Sequence, residues 1–142
     1  GMASMKAQLN SLKNVPLFSA CSKKDLEKVA KAADEITMTA GSVVVDQGDM
    51  GREAYVILKG EVTIKRNNRK IATLSDGDVV GELSLLDHGP RTASVVCATD
   101  CTLLVIDQRR FINVLDEVPS IAHKLMGSLA SRIRIMDRTY TG

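Results

Sequence analysis

A mainly β fold, a barrel or jelly roll carrying helices at both ends, is what this chain of 142 residues predicts. Between about Ile36 and Asp107 the chain runs as short β-branched stretches, "SVVVDQ", "AYVILKG", "EVTIKR", "RKIATL", "TASVVCA" and "CTLLVID". They are separated by "AG", "GDMG", "RNNR", "SDGD" and "ATD", and strands at such even spacing belong to barrels and sandwiches. Before and after that block the apolar spacing lengthens to the period of a helix. A composition of 44% hydrophobic and 25% charged residues suits one ordinary soluble domain over residues 1–142.

The elements follow in order. The opening Gly-Met reads as a cleavage scar ahead of the native start. Over about residues 5–35 an N-terminal helical bundle is expected. Leu9, Leu12, Val15, Leu17 and Phe18 supply an apolar face that breaks at Val15-Pro16, because the residue before a proline is pushed out of the helical region. Ser22 is a good N-cap with Asp25 three residues on, and Leu26, Val29, Ala30 and Ala33 follow at helical spacing. In the β block, 36–107, Val62 and Ile64 alternate with Thr63 and Lys65, one face toward a core and the other toward solvent. Asn67-Asn68 tolerates positive φ and closes a hairpin.

Helices return over 108–138. "RRFINVL" makes a short one, and "EVPSIAHKLMGSLASRIRIMD" a longer one with Pro119 at its first turn. Ile121, Leu125, Leu129, Ile133 and Met136 fall on one stripe of the long helix. At about 20 residues, near 30 Å, it has an apolar side to cover, either on its own barrel or against a second copy. Lys124, Arg132, Arg134 and Arg138 form its solvated face.

Charge and composition exclude several classes. A formal net charge of +2 is too small to imply nucleic-acid or membrane affinity. No apolar run approaches a bilayer span and no secretory h-region opens the chain, so a cytoplasmic protein is expected. Cys21, Cys97 and Cys101 match neither a disulfide framework nor a zinc pattern and read as packing residues. His88 and His123 stand too far apart for metal ligation, which disfavours a cupin-type enzyme and leaves no catalytic residue to name.

The stretch "GELSLLDHGPRTASVV", residues 81–96, carries the chemistry. Burying a phosphodiester requires that its charge be paired and hydrogen-bonded. Arg91 suits this, because its planar fork donates two parallel bonds to phosphate oxygens. "GELSLL" can form one helical turn whose unpaired N–H groups face an anion, with Gly81 allowing close backbone approach. A carboxylate beside a phosphate is repulsive, so Glu82 needs a donor such as a ribose hydroxyl. No phosphate-loop GxxxxGK[ST] pattern occurs, which disfavours a polyphosphate. The alternative is that Glu82 and Arg91 are loop residues that pair weakly at the surface.

This stretch resembles the phosphate-binding cassette of the cyclic nucleotide-binding domain family, as found in catabolite activator-like proteins and protein kinase regulatory subunits. The upstream "GSVVVDQGDMGREAYVILKGEV" is similar to the family's early strands, and the likeness extends over nearly the whole chain. It implies an eight-stranded double-stranded β-helix, jelly-roll-like, with N-terminal helices and C-terminal helices B and C. Carried over to the cassette, 81–94, it implies that Glu82 accepts from the ribose 2′-hydroxyl and that Arg91 clamps the exocyclic phosphate. The amides of Ser84 and Thr92 add donors, while Gly81, Leu83 and Ala93 shape the pocket. The ligand is cAMP in preference to cGMP, with no other cofactor and no metal. Val80 departs from the aromatic that many members carry before the Gly-Glu pair. The tail offers Met136 and Asp137 where related dimers place hydroxyl residues, which leaves Met136, Asp137 or Tyr140 as a lid over the base.

The function expected is a non-enzymatic sensor that signals by rearranging its cassette and C-terminal helices. Its partners are the cyclic nucleotide, a second copy through the C-terminal helix, and an effector domain or protein. No helix-turn-helix follows the last helix, so no nucleic acid partner is expected from this chain, and no membrane. The other reading is a ligand-free interaction or dimerisation module of the same fold.

Overall fold

The computed structural model describes the backbone of residues 2–141 and the side chains of these except 2–4, 83 and 138–141. The chain opens with α1 (Met2–Lys13), a 3-10 turn at Pro16–Phe18 and α2 (Lys23–Ala32). Strands β1 (Asp34–Met38), β2 (Val43–Val45), β3 (Glu53–Lys59), β4 (Glu61–Arg66), β5 (Arg69–Ser75) and β6 (Val79–Val80) follow. A short helix α3 (Glu82–Asp87) precedes β7 (Ser94–Cys97) and β8 (Cys101–Asp107), and α4 (Gln108–Glu117) and α5 (Pro119–Thr141) end the chain.

The eight strands form two four-stranded antiparallel sheets, in the orders β1-β8-β3-β6 and β2-β7-β4-β5. This is the eight-stranded roll that the sequence predicts. The β block begins at Asp34 rather than Ile36, because β1 already pairs there with Val105 of β8. Asn67 and Asn68 take φ of 51° and 65° at the β4–β5 turn, the conformation that a two-residue hairpin needs.

Burial explains why "AYVILKG" and "CTLLVID" lack alternation. Tyr55 and Ile57 of β3, with Leu103 and Val105 of β8, face the core between the sheets, joined by Val62, Val95 and Cys97. Their neighbours Ala54, Val56, Leu104 and Ile106 face the other way, into a second core with Leu12, Phe18, Leu26, Phe111 and Ile121 of the helical segments. A strand buried on both faces must be apolar throughout. Burial pushes the Cys97 thiol up to about 11, so it stays protonated at neutral pH and serves packing.

Capping sets the helix starts. Ser22 and Asp25 form a reciprocal capping box at α2. Asp107 caps α4, accepting from the Arg110 N–H at 2.9 Å, while the Arg110 side chain pairs with both Asp107 and Asp34. Helix α5 has 23 residues, about 34 Å, and its apolar stripe divides. Ile121 and Leu125 are buried and Leu129 packs beside them, whereas Ile133 and Met136 are 59% and 63% exposed. The first half of the helix is therefore covered by its own chain, whereas Ile133 and Met136 of the second half are exposed.

The N–H of Arg110, and after it the Arg110 side chain, hold Asp107 below the usual carboxylate range. Because the folded pKa is depressed, this stabilisation exists above the ordinary carboxylate pKa and is lost as pH falls through the folded value. Asp107→Ala is expected to cost about 1 kcal/mol at neutral pH. In thermal melts, the gap between the variant and the wild type closes in acid.

Candidate functional site

The cassette starts where β6 ends. Gly81 takes φ +84°, a left-handed conformation that an L side chain rarely adopts, and turns the chain from β6 into α3. Space matters as much as conformation here. A Cβ on Gly81 would run into Nη1 of Arg91, and one on Gly51 would run into the Ser84 side chain and the Arg91 guanidinium. Two glycines thus make the slot that Arg91 fills.

Arg91 is buried at 7% exposure. Its Nη2 donates to the Glu53 carbonyl at 2.6 Å and its Nη1 to the Gly81 carbonyl at 3.3 Å. The Arg91 backbone is held on both sides, its N–H donating to Asp49 O at 2.7 Å and its carbonyl accepting from Gly48 N at 2.9 Å. Beyond it, Thr92 is exposed and Ala93 half-buried. The Thr92 carbonyl accepts from Nε of Arg66 at 3.1 Å, and Gln47 ties the hairpin residue Asn67 to Ser94. The β4–β5 hairpin therefore clips the end of the cassette.

At the other end, Glu82 is 6% exposed and Ser84 is buried beside it. Leu85 has no exposed surface and belongs to the helix-side core, and its carbonyl accepts from Nε2 of Gln108, the first residue of α4, at 3.0 Å. The Leu83 side chain lies outside the described residues.

The Glu82 carboxylate accepts from Nη2 of Arg132 at 2.9 Å. Arg132 is exposed on α5, as its place on a solvated face implies, and its guanidinium also reaches a buried carboxylate. Glu82, Lys124 and Arg132 line one cavity of about 490 Å³ between the 3-10 turn, Leu74 and Val79 of the roll, and α5. A larger hollow of about 680 Å³, between α1 and α2 at Leu9 and Leu26, holds no cassette residue.

Of the residues picked from sequence whose side chains are described, Glu82 walls the 490 Å³ cavity, whereas Gly81, Ser84, Arg91, Thr92 and Ala93 lie outside its lining. Glu82 and Arg91 are not each other's partners. Met136 and Asp137 stand exposed on α5 beyond Arg132, and the Tyr140 side chain lies outside the described residues. Sequence reasoning missed Arg132, Gly51 and the Glu53 carbonyl. A signal for the first existed: Arg132 is i+3 from Leu129 and i+7 from Leu125, so it shares the face that packs inward.

A double-sheet roll with helices at both ends, holding a buried acid and a buried arginine on either side of one short helix, is the framework of a ligand-binding module. The chain belongs to the cyclic nucleotide-binding domain family, whose model matches residues 35–118. It is 30% identical over 131 residues to the cyclic AMP receptor protein of Thermus thermophilus, covering 89% of this chain and 61% of that protein. It is 35% identical over 105 residues to the cAMP-dependent protein kinase regulatory subunit of Schizosaccharomyces pombe, covering 73% of this chain and 26% of the relative. The chain thus spans less than two thirds of the length of either. Among solved structures, the catabolite activator protein of Thermus thermophilus superposes with a TM-score of 0.83 at 30% identity, over 89% of this chain and 62% of that one.

The Gly51 slot makes a direct prediction. Gly51→Ala is expected to destabilise the chain by about 1–3 kcal/mol through overpacking against Ser84 and Arg91, measured as a lower midpoint in urea with an unchanged slope.

Proposed function

We propose that the chain is a sensor that binds a cyclic nucleotide, cAMP in preference to cGMP, and passes its occupancy to α4 and α5. One observation carries this reading: a buried carboxylate, Glu82, and a buried guanidinium, Arg91, in one short cassette. An acid in that position repels a phosphate and accepts from a sugar hydroxyl, so the ribose 2′-hydroxyl goes to Glu82. Arg91 takes the exocyclic phosphate. Its guanidinium has five N–H groups, two nitrogens of which are engaged with carbonyls, so donors remain for an anion. The amides of Ser84 and Thr92 add to it, and Gly81, Leu83 and Ala93 bound the pocket. Met136, Asp137 and Tyr140, on the last turns of α5, form the lid over the base. The preference for cAMP is supported by the two relatives named above, a cyclic AMP receptor and a cAMP-dependent kinase subunit.

The route to the helices runs through α3. Leu85 sits in the helix-side core and Gln108 joins its carbonyl to α4, so a shift of α3 on ligand entry moves packing that α4 shares. The exposed Ile133 and Met136 on α5 offer a face for a second copy or an effector. The same face favours the second reading, an interaction module that binds no nucleotide.

Thermal-shift titration separates the two readings. A ligand at one hundred times its Kd stabilises by about 2.7 kcal/mol, so cAMP is expected to raise the melting temperature more than cGMP, and AMP to leave it unmoved. If neither cyclic nucleotide moves it, the interaction module stands. By calorimetry, Glu82→Ala is expected to weaken cAMP binding by about one to two decades, the worth of a charged hydrogen bond of roughly 1.5–3 kcal/mol. Arg91→Ala costs more, since the phosphate loses its counter-charge.

A further inference from the structure

The hollow of about 680 Å³ between α1 and α2 lies apart from the cassette and is a groove between two helices. On α1, Met5, Leu9 and Lys13 fall at i, i+4 and i+8 with Lys6 beside them, so one side of that helix faces the groove. Lys23 and Leu26, at i and i+3, bring the start of α2 to the other wall. The floor is apolar: Leu9 and Leu26 are buried, and Met5 stands 52% exposed at one end. The rim is basic. Lys6, Lys13 and Lys23 are exposed, and none of them pairs with an acid among the described residues, against one carboxylate, Glu27, in the lining. From Met5 to Lys13 the α1 wall advances about 12 Å, a little over two helical turns.

Length, floor and rim together select an occupant. An apolar floor with lysines on both walls is complementary to a helix that carries apolar residues in one stripe and carboxylates beside it. A second copy fails this requirement, because the exposed Ile133 and Met136 of its α5 are flanked by Arg132 and Arg134 and would bring like charge to the lysines. A membrane fails it on shape, since a bilayer surface cannot reach leucines buried at the bottom of a groove. We propose that the α1–α2 groove is a docking site for an acidic amphipathic helix of a partner protein, which lays apolar side chains on Leu9 and Leu26 and carboxylates against Lys6, Lys13 and Lys23. The site is separate from the nucleotide reading: no cassette residue lines it, and it stands whether or not the chain binds a nucleotide.

The test uses the whole chain and a labelled peptide of about 15 residues, long enough to hold a helix in water, with leucines on one face and glutamates flanking them. Fluorescence anisotropy is expected to show saturable binding that weakens as salt rises. Reversing all three lysines together (Lys6→Glu, Lys13→Glu and Lys23→Glu), at exposed positions, is expected to weaken binding by about tenfold or more. Location is read at Cys21, which lines the groove half-buried while Cys97 and Cys101 are buried; the bound peptide is expected to slow its alkylation. A leucine-lysine counterpart and a shuffled peptide of the same composition are expected not to bind. No binding of the acidic peptide, equal binding of the shuffled one, an unchanged affinity in the triple variant or an unprotected Cys21 overturns the proposal. Binding to phosphatidylserine vesicles that the triple variant abolishes, with no binding of the peptide, assigns the lysines to a membrane surface and overturns it as well.

Discussion

The double burial of β3 and β8 is the constraint from which the rest of the architecture follows. Their paired residues alternate between two cores, one enclosed by the sheets and one shared with α1, α2, α4 and α5. A sheet that is apolar on both faces needs cover on both faces, and its own second sheet supplies only one. The terminal helices are therefore structural members of the roll. The cassette hangs from this layer at two points: β6 pairs with β3 through Tyr55↔Val80 and Val56↔Val79, and Leu85 enters the helix-side core. Hydrogen bonds of Arg91 to Asp49, Gly48 and Glu53, and of Gln108 to the Leu85 carbonyl, tie it further to the roll and to α4.

Against that apolar background the cassette is the exception. The buried polar or charged residues among those described, Glu82, Ser84 and Arg91, all belong to it. A buried charge costs more than it returns unless it is matched, and a leucine would pack the same volume at less cost. The structure matches each one: carbonyls of β3 and Gly81 receive Arg91, and a cation from α5 meets Glu82. Local rules broken in one place and compensated by groups from distant segments are the pattern that the proposed binding role requires.

How much of this was legible in the sequence depended on whether the relevant force was local. The capping box at Ser22, the hairpin at Asn67-Asn68 and the alternation at Val62 and Ile64 are short-range, and the structure has all three. Strand β1, "DEITM", escaped because three of its five residues are solvent-facing and two are acidic; only its pairing with β8 makes it a strand. Strand β6 has two residues, too few for any period. In the site, Glu82 and Arg91 stood out by type and spacing, but their partners did not. Gly51 was visible only as a turn residue, because the collision that its hydrogen avoids is with residues more than thirty positions on. Arg132 is fifty residues from Glu82, and a basic residue on a helix is a solvated one until a buried acid turns up beside it.

Arg132 also falls where α5 changes character. Up to Leu129 the helix is held by burial: Ile121 and Leu125 each remove most of a side chain from water, a contribution of roughly 1.5–3 kcal/mol apiece. Past Leu129, Ile133 and Met136 are mostly exposed, and that stabilisation is absent. An ion pair between a half-exposed arginine and a buried acid is one of the contacts that locate the second half of the helix. Hydrophobic anchoring holds the first half of α5, and an ion pair ties the second half to the cassette.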